Sequence, residues 1–465
     1  MPASTPDDGN NPLLRDPVGP ALLRMAGPLV IGVGAILLFN VVDTIFVGQL
    51  GVRPLAAMSF TFPVIMMMIN LVVGIGTGVT ASISQAIGRG DDSVARYRAT
   101  DALIMSVGIA GTLCGLGLYF HDSIFLAVGA DADLLPLIRS YMVPYFFGLF
   151  GLIIPITGNC AIRGTGDTTS PSVIMLISGC VNLVLDPFLI FGWGPFPRLE
   201  LAGAAIATVI AWTVSLTASL VIQYRLKLLL FARRSVGSIL RSWKDILHVG
   251  LPTAATNILM PAATALLTRL VSSHGAAANA AYGIGHRVEA VAMVGLFALS
   301  MAVTAFVGQN YGAKQISRID TTLDFSVKVC LLWSTAVAGS IWLARGPLTA
   351  LFNDDPDVVN NATTFLQIIP WSYGALGLSF ACTATLNALG RPLLSSVVVC
   401  SRLFLFTIPL AIVGDHHFGL SGLFAGIAVG NLLTGAVAFV IAKQCVRRLQ
   451  RAAPAGIEEA RADAD

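Results

Sequence analysis

The sequence predicts an all-α integral membrane protein with about twelve transmembrane helices. Of its 465 residues, 55% are hydrophobic and 11% are charged, whereas soluble domains carry about 25% charged residues. The mean hydropathy of the chain is +0.79. About twelve apolar runs are long enough to cross a hydrocarbon core of about 30 Å, which takes roughly 20 residues per helix. The net charge of +3 is small and gives no indication of nucleic-acid binding.

The predicted helices follow a polar segment that lacks the basic start and short apolar stretch of a cleavable signal peptide. Their apolar runs are too long and too continuous for the alternating strands of an outer-membrane barrel. They span residues 22–48, 55–81, 95–120, 135–160, 169–191, 201–225, 246–271, 277–305, 318–343, 359–386, 393–413 and 419–443.

The chain resembles itself at a shift of 224 residues. At this offset Pro28 aligns with Pro252, and Gln85 aligns with Gln309. Further matches continue over roughly 145 residues. Since each half holds six helices, both halves enter the membrane from the same side, and we expect two homologous six-helix bundles related by a pseudo-two-fold axis along the membrane normal. This repeat is typical of transporters, although a duplication kept only for packing is the alternative.

Basic residues indicate the orientation of the chain. With both termini in the cytoplasm, 20 of the 28 Lys and Arg residues fall on the cytoplasmic side, as the positive-inside rule requires. The predicted organisation is an N-terminal cytoplasmic tail (1–21), an N-lobe (22–225), a cytoplasmic linker (226–245), a C-lobe (246–445) and a C-terminal cytoplasmic tail (446–465). We expect a multi-pass monomer in the lipid bilayer.

Two carboxylates lie deep inside predicted helices of the N-lobe. Because an ionisable group within a bilayer is costly, each one is a functional candidate. Asp43 and Asp186 lie at similar depths, about five residues from the outer ends of the first and fifth helices. Asn182 shares a face with Asp186 because residues four apart are neighbours on a helix. Thr208 lies roughly 10 Å down the sixth helix, at a comparable level.

This cluster suits cation coupling on two grounds. Burial and a second nearby carboxylate both favour the protonated form of a carboxyl group, so the cluster could hold and release a proton. Carboxylate, amide and hydroxyl oxygens could instead bind Na⁺ at Asp43, Asn182, Asp186 and Thr208. At the 224-residue shift the counterparts of the two carboxylates are apolar, Leu267 and Leu410, so we assign cation handling to the N-lobe. The alternative is that each Asp caps a helix or forms its own hydrogen bond with a Ser or Thr hydroxyl, without a shared site.

Other candidates lie in the first and eighth helices. Pro28, 15 residues before Asp43 in the first helix, removes a backbone hydrogen bond and favours a kink. Protonation of Asp43 could bias that bend. Arg287 and Glu289 are two residues apart, so they lie on different sides of the eighth helix and are expected to pair with neighbouring helices. For them a gating or structural role is preferred over substrate contact.

Several motifs resemble those of the multidrug and toxic compound extrusion (MATE) transporters, and the resemblance extends from about residue 20 to residue 445. The motifs are GTGVTASISQAIGRGD (around 75–91), AIRGTGDTTSP (161–171), NLVLDPFLIFG (182–192), LAGAAIAT (201–208), AAYGIGHRVEA (280–290) and VTAFVGQNYGAK (303–314).

The resemblance implies an inner-membrane antiporter that exports cationic or amphipathic compounds in exchange for Na⁺ or H⁺, with no further cofactor. In the DinF-like and NorM-like branch, it implies a cation site at Asp43, Asn182, Asp186 and Thr208, with the backbone carbonyl of Ala204 nearby. It implies a conformational role for Pro28. NorM-like acidic residues of the C-lobe have no counterpart in the seventh helix here, which favours coupling in the N-lobe.

Two other functions stay open at this point. Lipid-linked oligosaccharide flippases share a two-lobed helical architecture, but only Arg287 and Arg402 are candidates here for the basic lining of such a cleft. An ion channel or a non-transporting membrane protein is the other alternative. Catalysis has no support, because the sequence contains no phosphate-binding glycine loop with its lysine, no metal-ligand spacing and no pairing of a nucleophile with a base.

Overall fold

The computed structural model describes residues 11–230 and 234–462, with side chains described as far as Arg451. Every regular element in these ranges is helical, which confirms the predicted all-α fold class. The α-helices are α1 Pro12–Arg15, α2 Val18–Gly48, α3 Val52–Gly88, α4 Asp92–Tyr119, α5 His121–Ala127, α6 Leu135–Gly164, α7 Thr169–Phe191, α8 Glu200–Arg225, α9 Val236–Ser272, α10 Ala276–Ala292, α11 Val294–Gly312, α12 Ile316–Phe352, α13 Pro356–Ile368, α14 Tyr373–Ala388, α15 Pro392–Cys400 and α16 Ile408–Ala462.

Eleven continuous helical spans in the described residues are long and apolar enough to cross a membrane. The eleventh and twelfth predicted helices share the last span, which is interrupted at Gly419 with φ of 60° and ψ of −146°. A φ in this range is one that glycine adopts without strain. Across this interruption Gly414 lies against Gly422, and Gly426 lies against Leu410. The two halves of this span are therefore separate antiparallel helices, as predicted.

Some predicted helices are broken where the sequence suggested one continuous segment. The eighth (277–305) is divided at Met293 into α10 and α11. The tenth (359–386) contains a 3₁₀ turn, Ile369–Ser372, between α13 and α14. The eleventh (393–413) contains a π-helical segment, Ser401–Thr407, between α15 and α16. Such irregular turns are often found at functional sites.

The chain folds as two compact units. The N-terminal unit contains Gly27–Ile87 and Asp91–Ala254, and the C-terminal unit contains the other described residues. Their boundaries fall within α2 and α9. Of the predicted terminal and linker segments, residues 1–10, 231–233 and 463–465 lie outside the described ranges. The described part of the C-terminal segment continues α16.

Helix α6 is the central element of the N-terminal unit. Most of its residues between Gly148 and Gly164 are buried, and it packs against α4 and α8, while α8 also packs against α7. A hydrophobic cluster surrounds its N-terminal half and includes Phe146, Leu149 and Ile190. The polar side chains described next therefore lie within an apolar bundle, where unpaired charges are costly.

Candidate functional site

The two predicted carboxylates lie in the N-terminal unit, on helices α2 and α7. Asp186 is 1% exposed, and Asp43 is half-buried. Oδ1 of Asp43 and Oδ2 of Asp186 are inaccessible to solvent and have no hydrogen-bond partner among the described residues. The two side chains are close enough to interact electrostatically. Like charges in an apolar environment repel strongly, so a positive ion or a proton would relieve this arrangement.

Asn182 connects Asp186 to helix α8. Its Nδ2 donates to Oδ1 of Asp186 at 3.2 Å and lies 3.4 Å from Oγ1 of Thr208. The hydroxyl of Thr208 donates its single proton to the carbonyl oxygen of Ala204 at 2.9 Å, so toward Asn182 it acts as an acceptor. The chain of bonds runs from one carboxylate to a backbone carbonyl. Four predicted residues are thus joined in one network: Asn182, Asp186 and Thr208, which helical spacing and depth indicated, and Ala204, which the family resemblance implied.

A proline follows Asp186 directly and changes the backbone beside it. Pro187 lies inside α7 and has no N–H, so it cannot donate to the carbonyl four residues earlier, that of Leu183. This carbonyl follows Asn182 in the chain. Helix α7 thus contains a backbone oxygen that lacks its helical donor. All of these groups are hard oxygen donors of the kind that alkali cations prefer.

Two tyrosines that sequence analysis missed adjoin the carboxylates. Tyr141 and Tyr145 on α6 are 4% and 3% exposed, and their ring centroids lie 6.0 Å apart. Tyr141 interacts electrostatically with both Asp43 and Asp186. Tyr145 packs edge-to-face on Trp212, with centroids 4.7 Å apart. A signal was present, since a Tyr pair four residues apart puts two hydroxyl groups on one face of an apolar helix.

The remaining predicted residues lie elsewhere. Pro28 is inside α2, half-buried. Glu289 and Arg287 lie on α10, in the C-terminal unit, and Arg287 is exposed. Oε2 of Glu289 lies 3.5 Å from Nδ1 of His286 on its own helix, a partner in addition to the neighbouring helices that were expected. A side chain three positions earlier on the same helix is within easy reach, which sequence analysis did not consider. Glu289 also interacts electrostatically with Arg402 of the π-helical segment.

Comparisons with known proteins agree with the repeat and with the fold. The family model described as MatE matches residues 28–188 and 252–413, once in each half. An FAD transporter of Shewanella oneidensis is 37% identical over 435 residues, covering 93% of this chain and 96% of the relative. The probable multidrug resistance protein YoeA of Bacillus subtilis is 26% identical, covering 86% of this chain and 89% of the relative.

Solved structures show the same fold. The crystal structure of the Vibrio cholerae MATE transporter VcmN in the bent form superposes with a TM-score of 0.88 at 28% sequence identity, covering 93% of this chain and 98% of that one. The FAD transporter and the VcmN structure each match 93% of this chain. The agreement therefore concerns the complete architecture and not a single motif.

Proposed function

Because the chain belongs to the MatE family, whose members are multi-pass membrane transporters and not enzymes, we propose that it is a secondary active antiporter. It exports cationic or amphipathic small molecules in exchange for Na⁺ or H⁺ by alternating access. The relatives named as multidrug resistance proteins support this substrate class. No cofactor is needed apart from the coupling ion.

The observation that carries the proposal is the pair of carboxylates with free, solvent-inaccessible oxygens in one apolar bundle. Leaving a buried charge uncompensated costs about 3–5 kcal/mol. A bound Na⁺ or proton removes this cost, so the energy of the site depends on its occupancy. We assign coupling to Asp43, Asn182, Asp186, Thr208 and the carbonyl of Ala204.

Coupling requires that the cation bind more tightly to one conformation than to the other, since a ligand with equal affinity for both shifts nothing. Helix α2 carries Asp43 and, a little over four turns earlier, Pro28. Its missing hydrogen bond makes this region easier to bend. We propose that occupation of the carboxylate site biases the bend at Pro28. Arg287 and Glu289 have a gating or structural role in this account.

The distribution of basic residues supports a membrane orientation with both termini in the cytoplasm. With both termini in the cytoplasm, the basic residues concentrate on the cytoplasmic side. We therefore propose an inner-membrane protein that works as a monomer, with the lipid bilayer as its environment.

The direct test of this function uses the purified chain in proteoliposomes loaded with ethidium. Efflux is measured at fixed pH in Na⁺-free and Na⁺-containing external buffer, and then with an imposed proton gradient. Efflux that follows either gradient supports the antiporter and identifies the ion. Ethidium retention under every gradient, with the chain correctly inserted, contradicts it and favours a flippase, a channel or a non-transporting protein.

A second candidate function is export of a flavin dinucleotide. The FAD transporter of Shewanella oneidensis, at 37% identity over nearly its full length, favours it. Its substrate is amphipathic but anionic, in contrast with ethidium. Gradient-driven movement of FAD, measured in the same vesicles by its fluorescence, would support this candidate, and its absence alongside active ethidium efflux would exclude it.

A further inference from the structure

A cavity of about 60 Å³ lies within the C-terminal unit. A buried water needs about 10–15 Å³ in this measure, so the cavity has room for about four to six waters or one small oxyanion. Its wall is mainly apolar, but it includes His286, Glu289 and Arg402. Both the acidic and the basic side chains come from residues that the cation site does not use.

This cavity includes the repeat counterparts of part of the carboxylate site. At the 224-residue shift Asp43 corresponds to Leu267, Tyr141 to Phe365 and Tyr145 to Ile369, and all three counterparts line the cavity. The carboxylate of Asp43 therefore has no counterpart here, and the carboxylate of this cavity belongs to Glu289 on α10. The cavity also contains the guanidinium group of Arg402, which can bind a ligand of the opposite charge.

The cavity contains donors with no acceptor. Nε of Arg402 and Oγ1 of Thr407 are inaccessible to solvent and unpartnered within the described part of the chain. The guanidinium of Arg402 lies over the face of Phe380, whose ring centroid is 5.7 Å away. Arg402 lies in the π-helical segment Ser401–Thr407. A buried N–H group that lacks an acceptor is costly, and a π-turn is often retained for function.

The free Nε–H of Arg402 favours an anion over a cation. Glu289 lies 3.5 Å from His286 and also attracts Arg402 electrostatically, but it forms no hydrogen bond with Nε of the guanidinium group. Guanidinium groups bind phosphate and carboxylate oxygens through paired hydrogen bonds. Tyr282 and Asn431 add polar groups to the same wall.

We propose that this cavity is an anion subsite that binds a phosphate-type oxyanion through Arg402, with Thr407 as a further donor. The phosphate is either part of a transported molecule or free in solution. In the first case the inference rests on the proposed transport function and adds a substrate class to it. The N-terminal unit then binds the coupling cation, and the C-terminal unit binds an anionic group of the transported molecule.

The test measures binding of riboflavin and of riboflavin 5′-phosphate to the full chain in nanodiscs, by flavin fluorescence. These two probes differ only in the phosphate group. We expect the ester to bind at least about tenfold more tightly than riboflavin, a difference of about 1.4 kcal/mol. Competition by inorganic phosphate would identify a site for the free anion, and a preference without competition would identify a group carried by a larger molecule.

The variant Arg402→Gln is expected to lose the preference for the ester, whereas Arg269→Gln, which changes an exposed arginine of the same unit, is expected to keep it. Thr407→Val removes a single hydroxyl donor and should weaken the preference for the ester. This milder variant tests the site even if the Arg402 variant fails to fold. Equal affinity of the wild-type chain for both probes, or a full preference in Arg402→Gln, would overturn the proposal. A chain that shows no ethidium antiport would contradict the proposed transport function, but it should still bind the ester more tightly than riboflavin.

Discussion

The amide nitrogen of Asn182 lies 3.2 Å from Oδ1 of Asp186, one turn along the same helix. This bond uses one carboxylate oxygen and leaves the other, Oδ2, without a partner in the described residues. The carboxylate is held in position by the bonded oxygen, while the free oxygen remains available for a ligand. A side chain held in this way is pre-organised, so little ordering is needed when an ion binds.

The hydroxyl of Thr208 is expected to set the affinity for the coupling ion. Thr208→Val keeps the shape of the side chain but leaves the amide of Asn182 without its second acceptor, at a cost of about 1 kcal/mol. We expect cation affinity to fall about five- to tenfold, measured as the ion concentration that gives half-maximal ethidium efflux.

Two variants control for this prediction. Thr208→Ser retains the hydroxyl and should behave like the wild-type chain. Thr213→Val removes an exposed hydroxyl from the same helix, α8, and should also have no effect. If Thr208→Val matched both controls, the hydroxyl would have no part in ion binding.

The bend in α2 is expected to depend on Pro28. Pro28→Ala restores one backbone hydrogen bond, worth about 0.5–1.5 kcal/mol, and so favours the straight helix. We expect ethidium efflux to slow by about two- to twelvefold, because a shift of this size changes the population of the bent state by that factor. Pro63→Ala, in the interior of α3, is the matched control. Unchanged efflux in Pro28→Ala would remove the bend from the mechanism.

The contact between α7 and α8 is expected to tolerate no side chain at Gly203. A Cβ there would lie 2.2 Å from the carbonyl oxygen of Leu189 and 2.5 Å from its carbonyl carbon. Because these are backbone atoms, the helices must separate, and overpacking of this kind costs about 1–3 kcal/mol. The helices that separate also carry Asp186 and Thr208.

The measurement for Gly203→Ala is the melting temperature of the purified protein in detergent, together with efflux. Both should decrease. Gly111→Ala serves as control, since the nearest atom to its new Cβ lies 3.9 Å away. A Gly203→Ala protein with wild-type melting and transport would show that the helices can move apart freely at this point.

Much of the carboxylate site could be predicted from sequence because helical geometry is regular. The spacing of Asn182 and Asp186 put them on one face, and the depth of Thr208 followed from the rise per residue. The tyrosines of α6 could not be assigned in the same way. A tyrosine in an apolar helix can face lipid headgroups, core or cavity, and only the packing of α6 against its neighbours decides between these.

The cavity of the C-terminal unit could not be predicted from the sequence, for a different reason. Arg402 lies in a π-helical segment, where the register of a regular helix no longer predicts which face a residue occupies. The breaks at Met293 and at Ile369–Ser372 were missed because apolar composition is continuous across them. Hydropathy measures the length of an apolar run and does not detect where its backbone changes hydrogen-bond pattern.

The central claim is that a positive ion at the carboxylates of the N-terminal unit drives transport. Its most direct measurement is ethidium efflux from proteoliposomes under an imposed Na⁺ or proton gradient, with the wild-type chain compared with Asp43→Asn and Asp186→Asn. Asp133→Asn, which neutralises an exposed carboxylate of the same unit, is the control. The account predicts that both carboxylate variants insert normally and still bind ethidium, but lose gradient-driven efflux. Wild-type efflux rates in Asp43→Asn or Asp186→Asn would contradict it.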